Sequence, residues 1–114
     1  MSSHVDWDLL DAISEDWSME FSEIYDEFVQ ELQSGWNELR DLCNSDSLDA
    51  ARKQSHKLKG SSANFGFEGC RHIAESIERQ LTEGSQQGIP ELLSRGQEAI
   101  ESSLKEVAER RKAG

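Results

Sequence analysis

Apolar side chains along this chain recur at alternating steps of three and four residues, the spacing that lines one face of an α-helix. The longest such series is Phe21, Tyr25, Phe28, Leu32, Trp36, Leu39 and Cys43, and it predicts a helix over residues 18–43. A shorter series precedes it, with Trp7, Leu10, Ile13 and Trp17. Asp46 or Ser47 can cap a third helix, which carries Leu48, Ala51, Ser55, Leu58, Ser62 and Phe65 and stops at Gly66. Cys70, Ile73, Ala74, Ile77 and Leu81 mark a fourth, closed by Gly84. Gly88 to Pro90 break the chain again, and Pro90 suits a first helical position, where no intrahelical donor is needed. The last helix uses Leu93, Gly96, Ile100, Ser103, Leu104 and Val107 and is expected to fray at Arg110–Lys112. Four long helices with short connections predict an all-α fold: an antiparallel up-down four-helix bundle with a short N-terminal capping helix.

Composition narrows the class. The 114 residues make one domain, 1–114, long enough to bury a core without disulfides or a metal. No apolar run approaches the ~20 residues of a membrane span. Asp6, Asp8 and Asp11 stand where a secretory signal would need cations, so a cytoplasmic chain with no membrane partner is expected. Cys43 and Cys70 lack CxxC spacing and fall at apolar positions, as buried free thiols do. The net charge of −11 is unevenly spread. Residues 1–49 hold 14 acids and one base, residues 50–67 four bases and no acid, and the remainder nine acids and seven bases. Such a surface argues against a nucleic-acid partner, while the basic island suits a small anion or an acidic partner site.

Within that island lies "SHKLKGSSANFG", residues 55–66. Gly60 sits where the pattern is still helical and costs roughly 0.5–1 kcal/mol against alanine. At 100° per residue, His56 lies about 160° from Leu58 and about 100° from Ser55. It therefore flanks the apolar seam and is expected to be exposed. Arg52 and Lys53 fall one turn below it, Lys59 and Gly60 one turn above, and Ala63 two turns on. Gly60 would clear room for a bulky partner, and Lys59 could neutralise an anion carried by His56. A lone exposed histidine is ordinarily a solvated side chain, and that reading serves for His4 and His72. At His56 the flanking cations and the glycine argue otherwise. Lys57 is assigned to the solvated face, Arg52 and Lys53 to the local field, and Ser61 and Ser62 to close helix packing. Other motifs fail on spacing. A phosphate-binding P-loop needs four residues between its glycines and then Lys-Ser/Thr, but here five intervene and Phe67 follows. The G-x-S-x-G elbow of hydrolases meets Asn64 at its last position, and the three histidines lack metal-ligand spacing.

The run His56-Lys57-Leu58-Lys59-Gly60-Ser61-Ser62-Ala63-Asn64-Phe65-Gly66 resembles the motif of histidine-containing phosphotransfer (HPt) domains, H-x-L-K-G-[SA]-[SA]-x-x-x-G, throughout. The likeness continues through Cys70 and Ile73–Ile77, and the four-helix plan agrees over about residues 18–112. The resemblance implies a phosphorelay carrier, not an enzyme. His56 would receive a phosphoryl group on its outer ring nitrogen from a receiver aspartate and pass it to another receiver. Lys59 would stabilise the phosphoryl charge and Gly60 would admit the receiver. Expected partners are receiver domains of response regulators or a hybrid sensor histidine kinase. The receiver would bring Mg²⁺, with no cofactor belonging to the chain itself.

The family often places a glutamine near the histidine from the neighbouring helix, and Glu78 takes that place here. It could orient the inner ring N–H, or be a surface acid without a role. The second reading is favoured, because a fixed negative charge beside a phosphoryl group is unhelpful. Docking is expected to involve Gly60, Arg52, Lys53 and Ala63, with Leu10 and Ile13 from the first helix, although the last two serve equally well as core caps. The alternative is a non-catalytic helical adaptor that binds a receiver and inhibits it. Nothing resembles an ATP-binding domain, so self-phosphorylation is not expected.

Overall fold

The three-and-four spacing becomes five helices among the residues described by the computed structural model, 4–113. They are α1 (Trp7–Ser14), α2 (Met19–Asn44), α3 (Leu48–Asn64), α4 (Glu68–Thr82) and α5 (Ile89–Ala113). The four long helices pack in the cyclic order α2–α3–α4–α5, with α5 closing on α2. Each therefore turns one apolar stripe inward, and Leu32, Trp36, Leu39, Leu58, Ile77 and Ile100 are buried at the centre. Burying a side chain of this size is worth about 1.5–3 kcal/mol. The fold is the all-α bundle that the spacing predicts.

Details at the helix ends follow from backbone geometry. Asp46 does not cap α3: it takes a left-handed φ of 57° and closes α2, with the Ser47 N–H donating to the Leu42 carbonyl at 2.9 Å. Ser47 is the α3 N-cap, though its hydroxyl pairs with that of Ser45 and not with the helix. Gly66 ends the α3–α4 turn at φ 73°, where a side chain would be strained. Its carbonyl accepts the Asp6 N–H at 2.6 Å, and a Cβ there would approach the Asp6 carbonyl oxygen to 2.8 Å. The same glycine thus makes the turn and seats the N-terminal segment.

Two expectations are corrected at the α1 end. Trp17 does not continue the first helix, because Glu15, Asp16 and Trp17 adopt φ values of 51°, 56° and 59°. Left-handed backbone costs roughly 1–2 kcal/mol per residue outside glycine, and tertiary contacts hold it. The Trp17 ring meets Phe21 and Tyr25 edge-on at 5.1 Å each, and the Arg111 guanidinium lies 4.6 Å from its centroid. For the same reason α5 does not fray at Arg110–Lys112. Arg110 pairs with Asp11 and stacks over Trp7.

Trp36 fixes the spacing of α2 and α5. Its indole N–H donates to the Leu93 carbonyl at 3.0 Å, and its ring occupies the place where a Cβ on residue 96 would stand. Gly96 is therefore a contact surface. Both cysteines are free, but only Cys70 is buried, and Cys43 is half-buried. Burial pushes the Cys70 thiol up to about 12. No helix among the described residues is long and apolar enough to cross a membrane.

Candidate functional site

The site is built from two adjacent helices. His56 follows the buried Ser55 on α3, and Glu78 follows the buried Ile77 on α4. Each side chain thus stands just off the core seam, at the groove between α3 and α4. Across that groove, Nδ1 of His56 lies 2.8 Å from Oε2 of Glu78. The other carboxylate oxygen, Oε1, is 2.9 Å from Nζ of Lys59. A single carboxylate therefore holds both the imidazole and the lysine. Glu78 is therefore not a free surface acid: both its oxygens are engaged, and its side chain is only 19% exposed. Burial by itself would raise the Glu78 carboxyl. The hydrogen bonds and charges of Lys59 and His56 outweigh that and hold it below the ordinary range.

The consequence for His56 is chemical. An ionised carboxylate accepts hydrogen bonds and donates none, so the 2.8 Å contact places the ring proton on Nδ1. In the neutral ring, Nε2 then carries the free lone pair. The His56 side chain is 66% exposed. One turn further on, Gly60 is exposed, and a Cβ built there meets nothing within 4 Å. Gly60 is therefore not a packing glycine; the surface beside the nucleophilic nitrogen is open.

The other predicted residues separate into distinct environments. Arg52 and Lys53 do not stand free: both pair with Asp49, at 3.1 and 3.3 Å. Hydrogen bonds from Arg52 and then Lys53 hold the Asp49 carboxyl below its usual range. Asp49 lies just outside the acid-free stretch, and its i,i+3 and i,i+4 spacing to the two bases was the signal that could have found it. Lys57 is exposed and lines a separate groove with Glu31, Glu38 and Gln54, between α2 and α3. Ser62 is fully buried in the bundle, as a packing residue should be. Ala63 and Ile13 are half-buried. Leu10 is 0% exposed, which corrects its expected place in a docking surface, because a partner cannot touch it. It belongs to the core beneath α1.

Among the described residues, no group of three or more His, Cys, Asp or Glu side chains is arranged to hold a metal ion. The site offers one exposed nucleophilic nitrogen, one buried-edge carboxylate behind it and one cation beside it. No curated protein and no solved structure matches the chain. The model of the Hpt domain family does match, over residues 23–110, a stretch that includes α3, α4 and every member of this cluster. The chain belongs to the Hpt domain family, and its role is a phosphotransfer-related one in two-component signalling.

Proposed function

We propose that the protein is a phosphoryl carrier of a multistep phosphorelay, taking the group onto Nε2 of His56 from one receiver aspartate and delivering it to another. The observation that carries this reading is the pairing of Nδ1 with Glu78 at 2.8 Å on a ring that is 66% exposed. Inner-nitrogen anchoring with outer-nitrogen exposure is what in-line attack on a partner's acyl phosphate requires. In the transfer, the Nε2 lone pair forms the N–P bond while the O–P bond of the aspartyl phosphate breaks. The electron pair leaves on the receiver carboxylate, and the Nδ1 proton stays in place.

Lys59 lies one turn from His56 on the same helix and supplies the positive charge for the arriving phosphoryl oxygens. The open surface over Gly60 lets the receiver's active-site loops close on the ring. Metal chemistry belongs to the receiver in this scheme, which would bring Mg²⁺ with its own aspartate.

The test is incubation with a panel of phosphorylated receivers. Transfer of one phosphoryl group per chain, acid-labile and base-stable, is expected in the parent and absent in His56→Gln, with helicity and melting temperature unchanged. Label persisting in that variant would refute the assignment. Binding of receivers without any transfer would identify the inhibitory adaptor instead.

A further inference from the structure

The end of the bundle away from α1 holds a cleft that the His56 site does not use. It opens where the last turns of α2 meet the start of α3, the end of α4 and the first turns of α5. Its volume is about 220 Å³. Leu48, Leu81, Ile89 and Leu93 form an apolar wall, the last three of them buried. Cys43 adds a thiol that burial pushes up and so keeps neutral. Among the described residues that line the cleft, Arg40 alone is charged. No carboxylate lines it, although the chain carries 23 acids against 12 bases.

Arg40 is unlike the other half-buried cations. Arg52 holds Asp49 at 3.1 Å, Lys59 holds Glu78 at 2.9 Å, and Arg71 holds both Glu68 and Glu75. Arg40 is half-buried as they are, but no carboxylate of a described residue pairs with it. Its guanidinium donates to the Asn37 side-chain oxygen at 3.4 Å, a neutral contact and a long one. Withdrawing a cation from water without a counter-charge is unfavourable. The planar arginine fork is shaped to take a carboxylate through two parallel bonds.

We infer that this cleft binds a small monocarboxylic acid with an apolar body, its carboxylate on Arg40 and its body against Leu48, Leu81, Ile89 and Leu93. The size fits. An apolar cavity of about 150 Å³ accommodates a benzene ring, so this larger cleft takes one ring or a short branched chain together with the acid group. Asn44, Gln86 and Ser94 also line it and bring neutral N–H and O–H donors for the remaining carboxylate lone pairs. A bare anion would leave the apolar wall uncovered, and a cationic ligand would meet only Arg40. The cleft is separate from the phosphoryl site: Leu48 precedes His56 on α3 by about 12 Å along the helix axis.

Benzoate is the probe, with benzyl alcohol and benzylamine as controls that keep the ring, and acetate as the anion without it. Titrations of the full chain are followed by ¹H–¹⁵N NMR. The Trp36 indole N–H is a built-in reporter, because it donates to the carbonyl of Leu93 at 3.0 Å, a wall residue of the cleft. The indoles of Trp7 and Trp17 lie against Arg110 and Arg111, about 25 Å further along α5, and serve as internal controls. Benzoate should move the Trp36 signal and the amides of Arg40, Leu48 and Ser94 to saturation, with a Kd of about 1 mM or below, and leave Trp7 and Trp17 in place. Each control compound should bind roughly tenfold more weakly or worse. Arg40→Met keeps the apolar stem, removes the charge and should weaken benzoate by roughly tenfold or more. Ser94→Phe, on the exposed rim, should block it. Absence of saturation in the parent, equal binding of benzoate and benzyl alcohol, or equal shifts at all three indoles would overturn the assignment. If Arg40→Met melts earlier than the parent, the comparison of benzoate with benzyl alcohol on the unaltered protein decides. His56→Gln should bind benzoate as the parent does, so this site and the phosphoryl carrier can fail separately; loss of binding in that variant would overturn the separate site.

Discussion

Gly60 and Gly96 are both glycines inside long helices, and the physical reasons for them are opposite. At Gly96 a side chain has nowhere to go, because the Trp36 indole already fills the space and is fixed there by its bond to the Leu93 carbonyl. At Gly60 a side chain would meet nothing of the protein at all. Gly96 sits on the packed side of the bundle, where α5 closes on α2, and Gly60 on the open side, one turn from His56. The helix-propensity penalty is the same, roughly 0.5–1 kcal/mol against alanine. In one place it is offset inside the molecule by close packing. In the other nothing inside the molecule offsets it, which fits the receiver docking proposed for this surface.

Substitutions can break this contrast, and the largest effect is expected on the packed side. Gly96→Ala forces the Trp36 ring out of position, and overpacking a core of this kind costs about 1–3 kcal/mol. Thermal denaturation should register a fall in melting temperature of several degrees, with phosphoryl acceptance by the folded fraction unchanged. If the variant melts like its parent, Trp36 has another site to occupy and the packing account of Gly96 is wrong.

The next effect belongs to the open side. Lys59→Ala removes a charge-assisted contact worth roughly 1.5–3 kcal/mol, so transfer from a phosphorylated receiver should slow at least tenfold. Lys57→Ala, in the neighbouring groove, should change the rate little. Stopped-flow transfer kinetics on both variants make the comparison, and equal slowing would mean that the general field and no specific contact matters.

The smallest effect is the most discriminating. Gly60→Ala should raise stability by roughly 0.5–1 kcal/mol, since the helix gains propensity and meets no obstruction. Gly60→Gln should keep part of that gain and yet impede transfer, because its side chain would project over the face that the proposed docking gives to the receiver. A destabilised Gly60→Ala in urea titration would remove the distinction between the two glycines. A Gly60→Gln that transfers at the parental rate would remove the docking account.

The bundle was legible because helical periodicity is a local signal. A residue three or four positions along lies on the same face whatever the rest of the chain does. That is why Phe21 to Leu39 and Cys70 to Leu81 could be assigned to core stripes, and why His56 could be placed beside the seam and not on it. The motif from His56 to Gly66 was legible for the same reason, as all its members lie on one helix and its closing turn. Where competing local signals were close, as between Asp46 and Ser47, the choice went to backbone dihedrals that no spacing rule ranks. Trp17 and Arg110 to Lys112 show the opposite failure: their local pattern predicts one thing, and contacts between the two ends of the chain impose another.

Sequence alone therefore determined the helix count, the inward faces and the exposed histidine with its lysine and glycine, all of which depend on neighbours within a few turns. Only the tertiary structure decided which groups meet across helices. It put Leu10 in the core, set Trp36 over Gly96 and brought Glu78 to Nδ1 of His56. Glu78 is 22 residues from His56, and their meeting depends on how α4 rotates and slides against α3. Packing of the whole bundle sets that rotation, and a sequence read one helix at a time carries no local term for it.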